Sequence, residues 1–364
     1  MIPYLIIFII AVIFSIFATK YSKKYWLFSW GGIIAIALII GLRYNTGIDW
    51  LHFDECYRRI VLGYNVNIEV GFKVLSIFFG RILNFNSWTI FTIMALCFVF
   101  PLYFLGEQNK KIILVLVPLF ICLHLTNSLT VSRQYAAMGI LLCSFRYLKD
   151  NEIKKYVACC LLAVLFHSTS LLFAFLFYIL YHIKWIQRHF LIPYLVFFFI
   201  TIFLSKYADS IFTYIYDNLN FVAVYVGKDS YVDNISIWAD QVGMLEDADT
   251  PFRKAMTYLS TLLLIFYGDK FLKSHDQKPY YFIYHLSVIG LIIYPTFQSQ
   301  ELLKRIIWYF TVFSPLMYAL IIKEYIFSRN IKKISIGKIL LIVWMIYSFY
   351  SYLMQGEAMN YEFL

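Results

Sequence analysis

Charge is what this chain has least of. Asp, Glu, Lys and Arg make up 14% of its 364 residues, against about 25% in an average soluble protein, which leaves too little polarity for an ordinary water-solvated surface. Cysteine is sparse and unpatterned. Cys56, Cys97, Cys122, Cys143, Cys159 and Cys160 have no metal-ligand spacing, and Cys56 alone falls in an expected outer loop, which disfavours an intramolecular disulfide there. Signature motifs are missing too. No GxxxxGK[ST] or GxGxxG run occurs, so a phosphate-cradling glycine loop is not expected, and neither HExxH nor GxSxG is present to indicate zinc-protease or serine-hydrolase chemistry. Asp247-Ala-Asp249 has the spacing of a metal-binding acid pair but stands away from any nucleotide-sugar domain, and no role is assigned to it. No metal and no cofactor are expected.

Apolar residues fill the space. They form 62% of the chain and arrive in runs close to the 18–20 residues needed to cross a hydrocarbon core of about 30 Å. Crossings are expected near 2–19, 25–41, 87–106, 112–125, 131–148, 153–167, 169–183, 191–205, 255–270, 280–297, 304–322 and 336–354. The first run, Ile2 to Thr19, has no basic residue ahead of it and no small-residue cleavage site behind it, which predicts a retained helix. Residues 153–183 read either as one long kinked helix or as two crossings broken at His167, and Lys and Arg decide between them. With the break, the inner loops hold 19 of the 31 basic residues and 6 of the 21 acids. Without it, every later loop faces the wrong way.

The fold class that follows is all-α: a polytopic integral membrane bundle of about twelve crossings, one domain over 1–364, with both termini outside. The net charge of +10 is then topological, matching anionic membrane lipids and giving no sign of nucleic-acid binding. The 31 Tyr and 8 Trp suit interfacial aromatic belts.

Two outer segments exceed simple turns. In residues 42–86, the polar or small Glu69, Lys73, Ser76, Gly80 and Asn84 recur at helical spacing among apolar neighbours. That spacing predicts an amphipathic helix, lying in the outer interface or else packed on the bundle, with Glu69 and Lys73 as an i,i+4 ion pair. The second segment, 206–254, carries eight acids with Tyr207, Tyr214, Tyr216, Tyr225, Tyr231 and Trp238. It reads as either a sugar-stacking outer loop or a solvated acidic cap.

Ionisable residues near membrane depth are costly, and those here collect on the outer side. They are Arg43 and Asp49 in Arg43-Tyr-Asn-Thr-Gly47-Ile-Asp49-Trp50, Glu69 in Glu69-Val-Gly71-Phe72, Arg133 in Ser132-Arg133-Gln134, and His167 in Phe166-His167-Ser168-Thr169-Ser170. Arg305, before Trp308-Tyr309, adds a further outer guanidinium. Each has a structural reading. Arg43 reads as a snorkelling charge, Arg133 as a partner of Glu69 or Asp49, His167 as a satisfied core histidine, and Ser168 or Thr169 as helix caps. Together they suit another chemistry. Arginine forks hold a pyrophosphate, and a neighbouring carboxylate or imidazole activates an acceptor hydroxyl.

These four motifs, in this order, resemble the EpsG family, within the wider group of Wzy-type O-antigen and exopolysaccharide polymerases. The match is densest over 40–175, and the ending Met359-Asn-Tyr-Glu-Phe-Leu lacks the proline common in that family. The resemblance implies a metal-independent glycosyltransferase in the bacterial cytoplasmic (inner) membrane, its active site facing the periplasm or exterior. It would transfer a growing glycan from undecaprenyl pyrophosphate to a new lipid-linked repeat unit, with a chain-length regulator as a candidate partner. By the same token Arg43, Arg133, Gln134 and Arg305 contact substrate, and His167, Asp49 and Glu69 supply or orient the base. A lipid-linked oligosaccharide flippase and a membrane acyltransferase are the alternatives. A flippase calls for two related halves and a central charged cavity, and neither pattern is present in the sequence. An acyltransferase calls for a catalytic His or Arg on the inner side, where the sequence offers mainly scattered Lys.

Overall fold

The computed structural model describes residues 1–47, 49–207, 210, 214, 250–297, 301–327, 336–359 and 361–363. Most of the expected outer loop at 206–254 lies outside them. The helices are α1 (Ile2–Lys20), α2 (Tyr25–Gly41), α3 (Trp50–Val61), α4 (Val70–Leu75), α5 (Trp88–Gly106), α6 (Ile113–Thr130), α7 (Ser132–Lys149), α8 (Ile153–Phe166), α9 (Ser170–His182) and α10 (Leu191–Leu204). After the large loop come α11 (Pro251–Ser274), α12 (Lys278–Ile293), α13 (Glu301–Thr311), α14 (Ser314–Tyr325) and α15 (Ile336–Ala358). Two short strands, β1 (Arg43–Tyr44) and β2 (Glu362–Phe363), pair antiparallel. The chain is an all-α polytopic membrane protein. On length and composition Ile2–Lys20, Ser22–Gly41, Trp88–Thr130, Leu303–Tyr325 and Ile336–Ala358 can cross a bilayer, the third of these containing both α5 and α6.

Contacts divide the chain into two units, Met1–Ile186 with Tyr318–Leu364 and Gln187–Met317. At the centre of the first, α6 and α7 are buried on nearly every face. Helices α1, α5, α8 and α15 pack around these two, and α2 packs on α1 and α5. The peripheral helices reverse the pattern of a soluble protein. Along α8, Ile153, Val157, Leu161 and Leu165 are exposed at every fourth position, while Tyr156, Cys160, Ala163 and Phe166 face the bundle. An apolar stripe turned outward suits a lipid environment.

The break at His167 is a reversal of direction. Tyr156 on α8 and Tyr178 on α9 have ring centroids 6.0 Å apart, and the Tyr156 hydroxyl donates to the Ala174 carbonyl at 2.5 Å. In one continuous helix residues 156 and 178 would stand about 33 Å apart at 1.5 Å per residue. His167 itself is extended (φ −156°, ψ 115°), and the Ser170 hydroxyl donates to its carbonyl at 2.7 Å. The Thr169 side chain, at the N-cap, makes no capping hydrogen bond to α9. Instead, the hydroxyl-rich run ends α8 by offering its backbone other partners.

The loops expected to be inner meet at one end of the first unit. Lys110 Nζ donates to Ser22 O at 2.7 Å, Arg146 pairs with Glu107 at 2.7 Å, and Lys323 donates to Asn109 Oδ1 at 2.9 Å. Residues 42–86 contain a helix, α3, that the sequence pattern does not announce, and α4 continues through a π-helical segment, Ser76–Ile82. The middle of its small and polar stripe faces inward, with Ser76 and Gly80 buried, while Asn84 and the apolar Val70, Val74, Ile77, Phe78 and Ile82 are exposed. The expected Glu69–Lys73 pair gives way to other partners: Lys73 Nζ donates to Asn65 Oδ1 at 3.4 Å, and Glu69 turns toward α7.

In the second unit α10, α11, α12 and α13 pack together. Thr250 caps α11 by accepting from the Arg253 N–H at 3.3 Å. The expected crossing at 304–322 is two helices, because Pro315 has no N–H to continue α13 and opens α14 instead. A hydrogen-bonded chain joins Lys273, Asp269, His189 and Tyr281: Lys273 Nζ to Asp269 at 2.8 Å, Asp269 to His189 Nδ1 at 2.9 Å, and His189 Nε2 to the Tyr281 hydroxyl at 3.0 Å. It ties the start of α10 to the α11–α12 turn.

Candidate functional site

Glu69, Arg133 and His167 meet directly. Glu69 stands at the N-cap of α4, Arg133 is the second residue of α7, and His167 occupies the α8–α9 reversal. Arg133 forms an ion pair with Glu69, and the other Glu69 oxygen lies 3.3 Å from His167 Nδ1. The Arg133 guanidinium also covers the Phe53 ring, with Cζ 4.6 Å from its centroid. The side chains of Arg133, Glu69 and His167 are 21%, 18% and 24% exposed, so they are shielded from bulk water yet open to a ligand. A carboxylate held by a guanidinium and facing one ring nitrogen fixes the orientation of an imidazole and stabilises its protonated form.

Close backbone approach brings these residues together. A Cβ on Gly71 would sit 2.5 Å from the Leu165 carbonyl oxygen, so glycine alone lets the start of α4 rest on the end of α8. Gly71→Val is therefore expected to push Glu69 away from His167. Proteolytic sensitivity of the 62–86 segment should rise, and function should fall about tenfold or more, as for a misplacement near 1 Å. Wild-type behaviour would remove Gly71 from this account. Gly47 does the same work nearby. It has φ +90°, and a Cβ there would lie 2.3 Å from the Leu129 carbonyl oxygen at the end of α6.

Arg43 lies behind this group and is 1% exposed. Its Nη1 donates to Ile40 O at 2.9 Å, and its Nη2 to Leu129 O at 3.3 Å and Ser132 Oγ at 2.6 Å. Its Nε donates to Thr46 O at 3.2 Å, and Phe91 lies under the guanidinium with 4.8 Å from Cζ to ring centroid. Ile40 and Leu129 belong to the last turns of α2 and α6. One guanidinium thus faces the negative ends of two helix dipoles, which offset its charge. Burial pushes its pKa down to about 10, so it stays charged at neutral pH. Its bond to Ser132 connects it to the residue beside Arg133.

Gln134 is buried in α7, Asp49 is half-buried before α3, and Arg305 is half-buried in α13 of the second unit. Phe53 carries no signal in the sequence, because no pattern announces α3. Nor does the sequence signal that Tyr361 and β2 reach Arg43; the tail carries no motif.

The EpsG family model matches residues 32–363, nearly the whole chain. No curated protein and no solved structure matches. The chain belongs to the EpsG family, and this membership supports a membrane polysaccharide-polymerase type of function.

Proposed function

From that membership and the Glu69–Arg133–His167 contact, we propose that this protein lengthens a surface polysaccharide on the outer face of the bacterial cytoplasmic membrane. The glycan on undecaprenyl pyrophosphate is the donor, and a hydroxyl of a new lipid-linked repeat unit is the acceptor. The acceptor oxygen forms a bond to the anomeric carbon while the bond from that carbon to the pyrophosphate oxygen breaks. His167 takes the hydroxyl proton, and Glu69 orients and stabilises the imidazolium. Arg133 fixes Glu69 and adds positive charge where the pyrophosphate leaves. Asp49 and Gln134 are assigned to sugar and carrier contacts, and Arg43 supports the site from its buried side.

The observation that carries the reading is the ion pair between Arg133 and Glu69 with His167 at 3.3 Å from the same carboxylate. The gene-deleted host provides the test. Electrophoresis of its surface polysaccharide is expected to show the ladder collapsed to a core bearing one repeat unit. Loss of even that unit, with lipid-linked repeats trapped inside, would instead indicate a flippase. An intact ladder would favour a modifying acyltransferase.

A further inference from the structure

The end of the chain returns to Arg43. β2 pairs with β1 in the register Arg43 with Phe363 and Tyr44 with Glu362. Just before β2, the Tyr361 hydroxyl donates to the Ile39 carbonyl in the last turn of α2. The Tyr361 ring meets Tyr4 of α1 edge-on, with centroids 5.5 Å apart and planes at 83°. α15 is braced to deliver this segment. Tyr352 donates to the Tyr4 carbonyl at 2.8 Å, Gln355 bonds to Thr126 of α6 at 2.8 Å, and a Cβ on Gly356 would lie 2.5 Å from the Tyr4 ring.

A two-stranded ladder of two residues has little stability by itself. Here it is held by helices at both ends, and it closes over the segment that carries Arg43. Arg43 in turn donates to Ser132, the neighbour of Arg133. We propose that residues 361–363 form a positioning strap, with Tyr361 as its positioning residue. The strap keeps the Arg43 segment seated on the ends of α2 and α6 and so fixes Arg133 against Glu69. It stays closed through the reaction. This inference rests on the polymerase reading for its activity readout but not for its geometry.

The test uses the full-length protein in native membranes. Directly opposed antiparallel residues have Cα atoms about 4.5–5.5 Å apart, within the roughly 4.4–6.8 Å that a disulfide spans. The pair Tyr44→Cys with Glu362→Cys should therefore cross-link on mild oxidation, whereas either substitution alone should not. The locked protein should elongate glycan at the wild-type rate. A chain ending at Met359, and Tyr361→Ala, should lose on the order of 100-fold in kcat. KM and membrane abundance should hold, and Tyr361→Phe should recover part of the loss. Failure to cross-link overturns the pairing. A locked protein that is inactive until reduced overturns the closed strap and makes the segment a lid. A truncated chain that elongates normally overturns the positioning role. If even wild-type protein elongates nothing while the cross-link forms, the polymerase reading fails and the pairing stands.

Discussion

His167→Ala is expected to lower glycan elongation by about 10²–10⁴-fold, the range that a positioned general base contributes, while the protein still accumulates in the membrane. The side chain is 24% exposed and sits at an existing reversal between α8 and α9, so its removal opens no core cavity. Glu69→Gln should give a related defect for a different reason. The amide can still face His167 Nδ1, but Arg133 loses the carboxylate that neutralises it and the imidazolium loses its stabilising charge. Elongation by purified protein supplied with lipid-linked repeat units would measure both variants. If His167→Ala ran within twofold of wild type, His167 would be a structural histidine and Asp49 or Glu69 the base to test next.

Much of this arrangement was legible in the sequence, and the reasons are physical. Position of charge reports sidedness because buried ions are expensive in lipid. The break at His167 could therefore be argued from lysines that lie far from it in the chain. The pairing of Arg133 with Glu69 was an open alternative that complementary charge alone suggested. Arg43 was harder. Its partners Leu129 and Ser132 are 86 and 89 residues away, and two of its acceptors are carbonyls at helix ends, which every residue type possesses. No side-chain pattern encodes such a contact. The amphipathic helix after Glu69 is readable as a helix, but whether it lies in the interface or packs on the bundle is not. A stripe of Ser76 and Gly80 reads as a solvent face until the neighbouring Tyr57 and Val61 are known to press on Gly80. The tail escaped notice because a strand of two residues has no periodicity to detect.

The two arginines of the site should respond to substitution in opposite ways. Arg43→Lys keeps a charge, yet one ammonium cannot reach Ile40 O, Leu129 O, Thr46 O and Ser132 Oγ together, as the guanidinium does. At least one of these four buried acceptors would lose its donor, costing about 1–3 kcal/mol. The expected result is a lower melting midpoint in detergent and less protein in the membrane, with elongation falling by the folded fraction and, through the lost bond to Ser132 that positions Arg133, further still. Arg133→Lys perturbs a group that is 21% exposed and lies at the head of its helix, so melting should change little. Its elongation rate should nevertheless fall sharply, because the planar fork that holds Glu69 is gone. Measuring both variants by melting and by elongation separates a seat from a ligand. Should Arg43→Lys melt like wild type and still fail to elongate, Arg43 would contact the pyrophosphate itself. Its burial would then describe a closed state that substrate must open.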